Sequence, residues 1–274
     1  MAKINEIIKA VESIAPLYLM EDWDNSGIQV MPDSSKDVEL IMTALEISDS
    51  VIDEAEKIGA DMIVTHHPLI FGKLSRVTDS DVVQRQIIRL IKSGISVYSA
   101  HTSFDSAAHG TNQYLAEKIG LESISALIAG ADEGTGMGRT GIYEEPITFD
   151  EFIKRLTDAC DEDTFRIAGK IPKKVKRVSL CTGAGAEFAD LSADIGSDVY
   201  VTGDVKYHDA RHADDIGLCL IDAGHFGTEN IFAQNIMPQL EKILGDSVKI
   251  VASQTSVYPF RDCFRNYYEY VEKL

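Results

Sequence analysis

The chain predicts an α/β protein with mostly parallel sheets, duplicated into two related halves with a metal site between them. Three observations carry this reading. Helical and strand-like segments alternate with short connections, the pattern of βα units around a largely parallel sheet. The order of segments in the first half recurs in the second. Three clusters of metal-ligand side chains each follow a run that reads as a buried strand, and ligands of open α/β sheets bind just beyond the carboxyl ends of strands.

Taken in order, Ile4, Ile7, Ile8, Val11 and Ile14 recur at helical spacing, and Pro16 stops that helix. Leu40 to Leu45 reads as a buried strand. Ser48 or Asp49 caps a helix over 51–58 that ends at Gly59. Residues 62–65 form the next strand, 81–93 a helix stopped by Gly94, 95–100 another strand and 111–119 a further helix. The second half then matches the first. Asp150-Glu151-Phe152-Ile153-Lys154 parallels Asn5-Glu6-Ile7-Ile8-Lys9. Residues 195–202 parallel 58–65, and 217–221 parallel 94–98. So long a period signals two related domains, not a solenoid. The expected division is 1–130 and 131–274, with the C-terminal segment free to pack back on the first half. The joint falls where Gly130, Gly134, Gly136, Gly138 and Gly141 cluster. A phosphate-cradling loop is the alternative for that segment, but no Gly-Lys-Ser/Thr follows it.

Apolar residues make up 45% and charged residues 26% of the chain, which fits a soluble globular protein. No apolar run approaches the ~20 residues of a bilayer span, and the N-terminus turns polar too soon for a secretory signal, so a cytoplasmic location is expected. Cys160, Cys181, Cys219 and Cys263 form no Cys-x-x-Cys pair, and Cys181 and Cys219, inside apolar strand-like runs, are expected to be buried inert thiols. The net charge of −18, from 26 basic and 44 acidic residues, disfavours nucleic-acid binding. The one basic stretch, residues 170–177, reads as a solvated loop or as a local anion-steering patch.

The first ligand cluster is Thr65-His66-His67-Pro68, the second His101-Thr102-Ser103-Phe104-Asp105, the third His225-Phe226-Gly227-Thr228-Glu229. Adjacent strand residues point to opposite faces, so His66 and His67 converge only where the strand ends, which Pro68 marks. If Thr228 begins a helix running to about Leu244, His225 and Glu229 sit together at its entrance. Three imidazoles and two carboxylates, without thiolate, suit one or two ions of Zn, Fe, Mn, Co or Ni. Asp105 and Glu229 are the candidate bridges between two ions. His101 is either a ligand or a hydrogen-bonding support for one. Asp204, Lys206 and His208 are candidates for proton transfer or for gripping an anionic substrate, or else ordinary helix-start residues. His109 and His212 read as solvent-facing. Glu21 to Val30 holds the only tryptophan, Trp23, beside Asp24. It is either a turn with a core tryptophan or an aromatic wall of the cleft.

Five of these segments together resemble one family, the dinuclear-metal proteins called GTP cyclohydrolase I type 2 homologues or NGG-one-interacting-factor-three-like proteins. They are Trp23-Asp24-Asn25-Ser26-Gly27, Thr65-His66-His67-Pro68-Leu69, His101 to Asp105, Thr202-Gly203-Asp204-Val205-Lys206-Tyr207-His208, and Gly224 to Glu229. The resemblance implies two intertwined α/β repeats with a mixed sheet, in the short form that lacks an inserted domain. It implies two divalent ions held by His66, His67, Asp105, His225 and Glu229, and a homohexamer built as a trimer of dimers. The expected activity is that of a hydrolase acting on a nucleotide or phosphorylated small molecule through metal-activated water, GTP cyclohydrolase-like by resemblance; the residue readings above assign proton transfer to His101 or His208 and substrate contacts to Trp23, Asp24, Asp204 and Lys206. The alternative is a non-catalytic metal-handling or regulatory protein, which the same five ligands would serve.

Overall fold

In the computed structural model, which describes residues 1–260, two large sheets are each covered by helices. The first sheet runs in the order Lys249–Ala252, Leu40–Ala44, Met62–Thr65, Ser96–Ser99, Gly27–Val30. Its first four strands are parallel, and Gly27–Val30 is antiparallel to Ser96–Ser99. The second sheet runs Glu122–Ala129, Gly136–Thr148, Lys174–Ala184, Val199–Gly203, Cys219–Asp222, Arg166–Ala168. There the strands beginning at Lys174, Val199 and Cys219 are parallel, flanked by antiparallel neighbours.

The same unit therefore occurs twice. Three consecutive parallel strands are closed by an antiparallel edge strand that precedes them in the chain and pairs with the last of them. The repeated motif of the sequence has one job in both copies. Gly59 and Gly196 take φ of +73° and +76° to end the preceding helical turn, a backbone region open to glycine at little cost. Two residues later, Asp61 Oδ2 accepts from the amides of Glu39 and Leu40, and Asp198 Oδ2 from those of Lys176 and Arg177. Each aspartate thus pins the start of the neighbouring strand.

The parallel strands are buried on both faces, which is why they read as continuous apolar runs rather than alternating ones. One face of the first sheet packs Tyr98, Val64 and Ile41 against Ile4, Ile7 and Val11 of helix Ile4–Ile14 and Phe232, Ile236 and Leu240 of helix Phe232–Leu244. The other packs Met42, Ile63 and Val97 against Val51, Ile52, Ile87 and Leu90. The second sheet is covered in the same manner. Cys160, Cys181 and Cys219 are free and buried; Cys263 lies outside the described residues.

Two local expectations change. The glycine-rich segment at 130–141 is the turn and start of a β-hairpin within the second sheet, and the strand before it, Glu122–Ala129, already belongs to that sheet. Arg139, 1% exposed, anchors this hairpin. It donates to the carbonyls of Gly134, Gly136, Gly138 and Ala107 and to Gln113 Oε1, so every hydrogen bond of its buried cation goes to a neutral acceptor, while Asp105 and Glu117 attract it from farther away. The helix expected from Thr228 instead begins at His225 and ends at Glu229. The backbone flattens at Asn230 and Ile231 (ψ −9° and −8°), and a separate helix starts at Phe232.

Candidate metal centre

Every strand end that carries a candidate ligand opens on one seam between the sheets. His66 and His67 follow strand Met62–Thr65. Asp105 ends the one-turn helix Thr102–Asp105 after strand Ser96–Ser99. His225 and Glu229 bracket the one-turn helix after strand Cys219–Asp222. These meet in three overlapping donor sets: His66, His67 and His101; His67, His225 and Glu229; and His66, Asp105 and Glu229. Within each set the donor atoms lie within 4.8 Å of one another.

Four imidazoles are fixed in the same manner. His66 Nδ1 is 2.9 Å from the Ala100 carbonyl, His67 Nδ1 3.2 Å from Glu46 Oε2, His101 Nδ1 2.8 Å from Asp24 Oδ1 and His225 Nδ1 2.8 Å from Asp204 Oδ2. Each acceptor is an oxygen that holds the Nδ1 proton, so in the neutral tautomer the lone pair is on Nε2. His101 Nδ1 is thus taken by Asp24, and the ring joins His66 and His67 in one donor set that could hold an ion.

Glu229 is the hub. Its Oε2 is 2.8 Å from His67 Nε2 and 3.0 Å from His225 Nε2, and its Oε1 is 3.5 Å from His66 Nε2. Burial works against its charge, yet the surrounding histidines hold its carboxyl well below the usual carboxylate range. Burial likewise opposes charge on His67, but hydrogen bonds to Glu229 and Glu46 outweigh it and push the ring up to about 10. His225 rises to about 9, burial being outweighed by Glu229 and Asp204. Asp105 is raised, chiefly by burial. Asp24 goes the other way: burial opposes its charge, but donors from His101, Thr102 and Ser26 hold it far below its ordinary value.

The cluster fits metal ions on its own geometry. His66 Nε2 is fully buried, has no hydrogen-bond partner, and stands 3.6 Å from Asp105 Oδ1 and 3.5 Å from Glu229 Oε1. That is too far for a hydrogen bond, but donors bonded at 2.0–2.2 Å to one tetrahedral ion lie roughly 3.3–3.6 Å apart. His225 Nε2 is also buried and makes no hydrogen bond, the nearby Glu229 oxygen being badly angled for one. Gly183 supplies the space. With φ +67°, a β-carbon there would stand 2.2 Å from Glu229 Oε1.

A sequence model of the Duf34/NIF3 (NGG1p interacting factor 3) family matches residues 2–259. The chain belongs to the Duf34/NIF3 family. It is 34% identical to a GTP cyclohydrolase 1 type 2 homolog of Clostridium perfringens, covering 94% of this chain and 98% of that protein. Among solved structures, a Bacillus cereus protein related to NIF3 is 25% identical with a TM-score of 0.86, covering 94% of this chain and 98% of that one. Reduced HcgD from Methanocaldococcus jannaschii is 28% identical with a TM-score of 0.77, covering 93% and 98%.

In this NIF3-family chain two cavities flank the centre, both touching His67 and His225. One, of about 660 Å³, is lined on its outer side by Trp23, Phe71 and Phe188 and floored by His101, Asp105 and Glu229. The other, of about 650 Å³, is lined by Glu46, Glu162, Arg166, Asp204 and Asp222. Of the four residues expected to contact substrate, only Trp23 lines the first cavity. Asp24 and Asp204 instead support His101 and His225. Lys206 is exposed in a shallow pocket beside Arg166 and Tyr207, and His208 is exposed with its ring against Tyr207; neither lines a cavity at the centre. The basic stretch at 170–177 lines neither. Sequence reasoning missed Glu46 and Gly183. Glu46 had a signal, since it follows strand Leu40–Ala44 as the histidines follow theirs. Gly183 had only its place at a strand end.

Proposed function

We propose that this chain is a metal-dependent hydrolase that holds two divalent ions (Zn, Fe, Mn, Co or Ni) and acts on a small molecule admitted to the aromatic-walled cavity. The observation that carries the reading is the convergence of four imidazoles, each tethered through Nδ1, around two buried carboxylates. Bound ions would supply Lewis acidity and bring the pKa of a water toward about 7.

The protein's own groups do the rest. His66, His67, Asp105, His225 and Glu229 hold the pair, with His101 as a sixth donor. The Ala100 carbonyl, Glu46, Asp24 and Asp204 fix ring orientation and tautomer. His67 and His225 are the most exposed imidazoles of the donor set, so their edges are where the centre would meet a substrate. Relatives named GTP cyclohydrolase 1 type 2 homolog support hydrolytic opening of a purine ring as the first reaction to screen. The cytoplasmic location and the homohexamer expected from the sequence belong to the same proposal.

The test is a turnover screen of protein loaded with each metal against GTP, guanosine and phosphoesters, alongside Asp105→Ala. Turnover that disappears in the variant supports the reading. No turnover with any metal, or turnover unchanged in the variant, overturns it. Zinc transfer to a metal-free acceptor protein without turnover would instead favour metal handling.

A further inference from the structure

The wall of the first cavity narrows the kind of molecule it takes. Trp23 is 60% and Phe71 59% exposed, unusual for the two largest apolar side chains of a pocket mouth. Their rings stand 6.0 Å apart, tilted by 41°, and the edge of Trp23 meets His101 at 5.9 Å. Phe188, Ile128 and Met137 continue the apolar lining from the second sheet. The result is a broad π-face directly beside the metal-binding side chains.

The charges on that lining point in one direction. Apart from the metal-binding groups and the buried thiol of Cys181, which burial keeps neutral, the ionisable residues lining the cavity are Glu21 and Glu187, both exposed, and no lysine or arginine lines it among the described residues. Lys73 and Arg76 follow Phe71 in the chain but form no part of the lining. A polyphosphate entering there would pass two like charges at the mouth and find no lysine or arginine on the lining to grip it. Aromatic faces, by contrast, bind any flat heterocycle, charged or not.

We infer that the cavity recognises the flat face of an unphosphorylated heterocycle, neutral or cationic, by stacking on Trp23 and Phe71, and that Glu21 and Glu187 discriminate against phosphorylated forms. This rests on the reading of the cleft as a substrate site but not on turnover. The occupant class is thus a free base or nucleoside rather than a nucleotide.

The chain has a single tryptophan, so Trp23 emission reports the pocket directly. Zinc-loaded protein is titrated with guanosine, GTP and ribose 5-phosphate, and calorimetry provides affinities for the variants. Guanosine should quench saturably and bind about tenfold more tightly than GTP, while ribose 5-phosphate leaves emission unchanged. Trp23→Leu and Phe71→Ala, both at exposed positions, should each weaken guanosine by about five- to tenfold. Glu187→Gln should narrow the gap between guanosine and GTP by about threefold. GTP binding as tightly as guanosine, binding of ribose 5-phosphate, or no binding by either guanosine or GTP overturns the inference. Saturable guanosine binding without turnover of any screened substrate would leave it standing and defeat only the hydrolase reading.

Discussion

The two halves of this molecule present equivalent strand ends to the seam, yet they use them differently. After strand Met62–Thr65 come His66 and His67, both in the cluster. The equivalent strand Val199–Gly203 ends on Gly203, and Asp204 follows it. A β-carbon at Gly203 would stand 2.6 Å from the His225 amide, and Asp204, at φ +53°, reaches back to His225 Nδ1. One half supplies donors; the other supplies room and a support. The next strand ends are alike. His101 and Asp105 mirror His225 and Glu229, and each histidine is held through Nδ1 by an aspartate at 2.8 Å. The supports differ in setting. The Asp24 side chain is fully buried among donors from His101, Thr102 and Ser26, whereas the Asp204 side chain is 59% exposed. Duplication preserved the scaffold, and the chemistry then followed the local balance of burial and space.

The largest effect on this asymmetry should come from its shared hub. Glu229→Ala should lower metal affinity by more than about 100-fold, because supporting residues alone are worth about 10–100-fold; elemental analysis after dialysis measures it. Metal content equal to that of the unmodified protein would remove Glu229 from the site. Gly183→Ala should follow. The left-handed backbone costs about 1–3 kcal/mol for alanine, and the β-carbon must displace the Glu229 carboxylate. Urea unfolding and metal titration should both register it.

The two supports offer a direct contrast. Asp24→Asn should weaken metal binding by about 10–100-fold and Asp204→Asn by about tenfold or less, read by competition with a chromophoric chelator. Equal losses would mean that burial of the support is irrelevant.

The pH response sharpens the same point. In metal-free protein His67 titrates near 10 and His225 near 9, both above the value of about 6.5 for an unfolded chain. Their pairing with carboxylates therefore stabilises the metal-free fold fully below about pH 6.5 and is lost as pH rises through 9 and 10. At pH 7 both rings carry an extra proton that a metal must displace, so affinity should climb from pH 7 toward 9–10. Calorimetry in buffers of different ionisation enthalpy should find proton release at pH 7. A pH-independent affinity would contradict it. The smallest effect is expected at His208, exposed and outside both cavities: His208→Ala should change metal content and turnover by less than about twofold.

Much of the fold was legible because buried parallel strands and glycine-terminated helices write themselves locally, as at Gly59, Gly94, Gly196 and Gly217. The donors were legible because strand ends are where such sheets place ligands. What escaped depended on neighbours distant in the chain. Nothing near Gly183 announces that Glu229 will occupy the space a side chain would need. Arg139 sits in a strand like any surface cation, and only the surrounding carbonyls explain its burial. The break after Glu229 was hidden because apolar spacing continues across it into the next helix.

Strand Lys249–Ala252 completes the first sheet beside Leu40–Ala44, some two hundred residues upstream. During synthesis the early half must therefore wait with one flank of its β-structure unpaired until residue 252 has left the ribosome. Such open flanks invite pairing with other nascent chains.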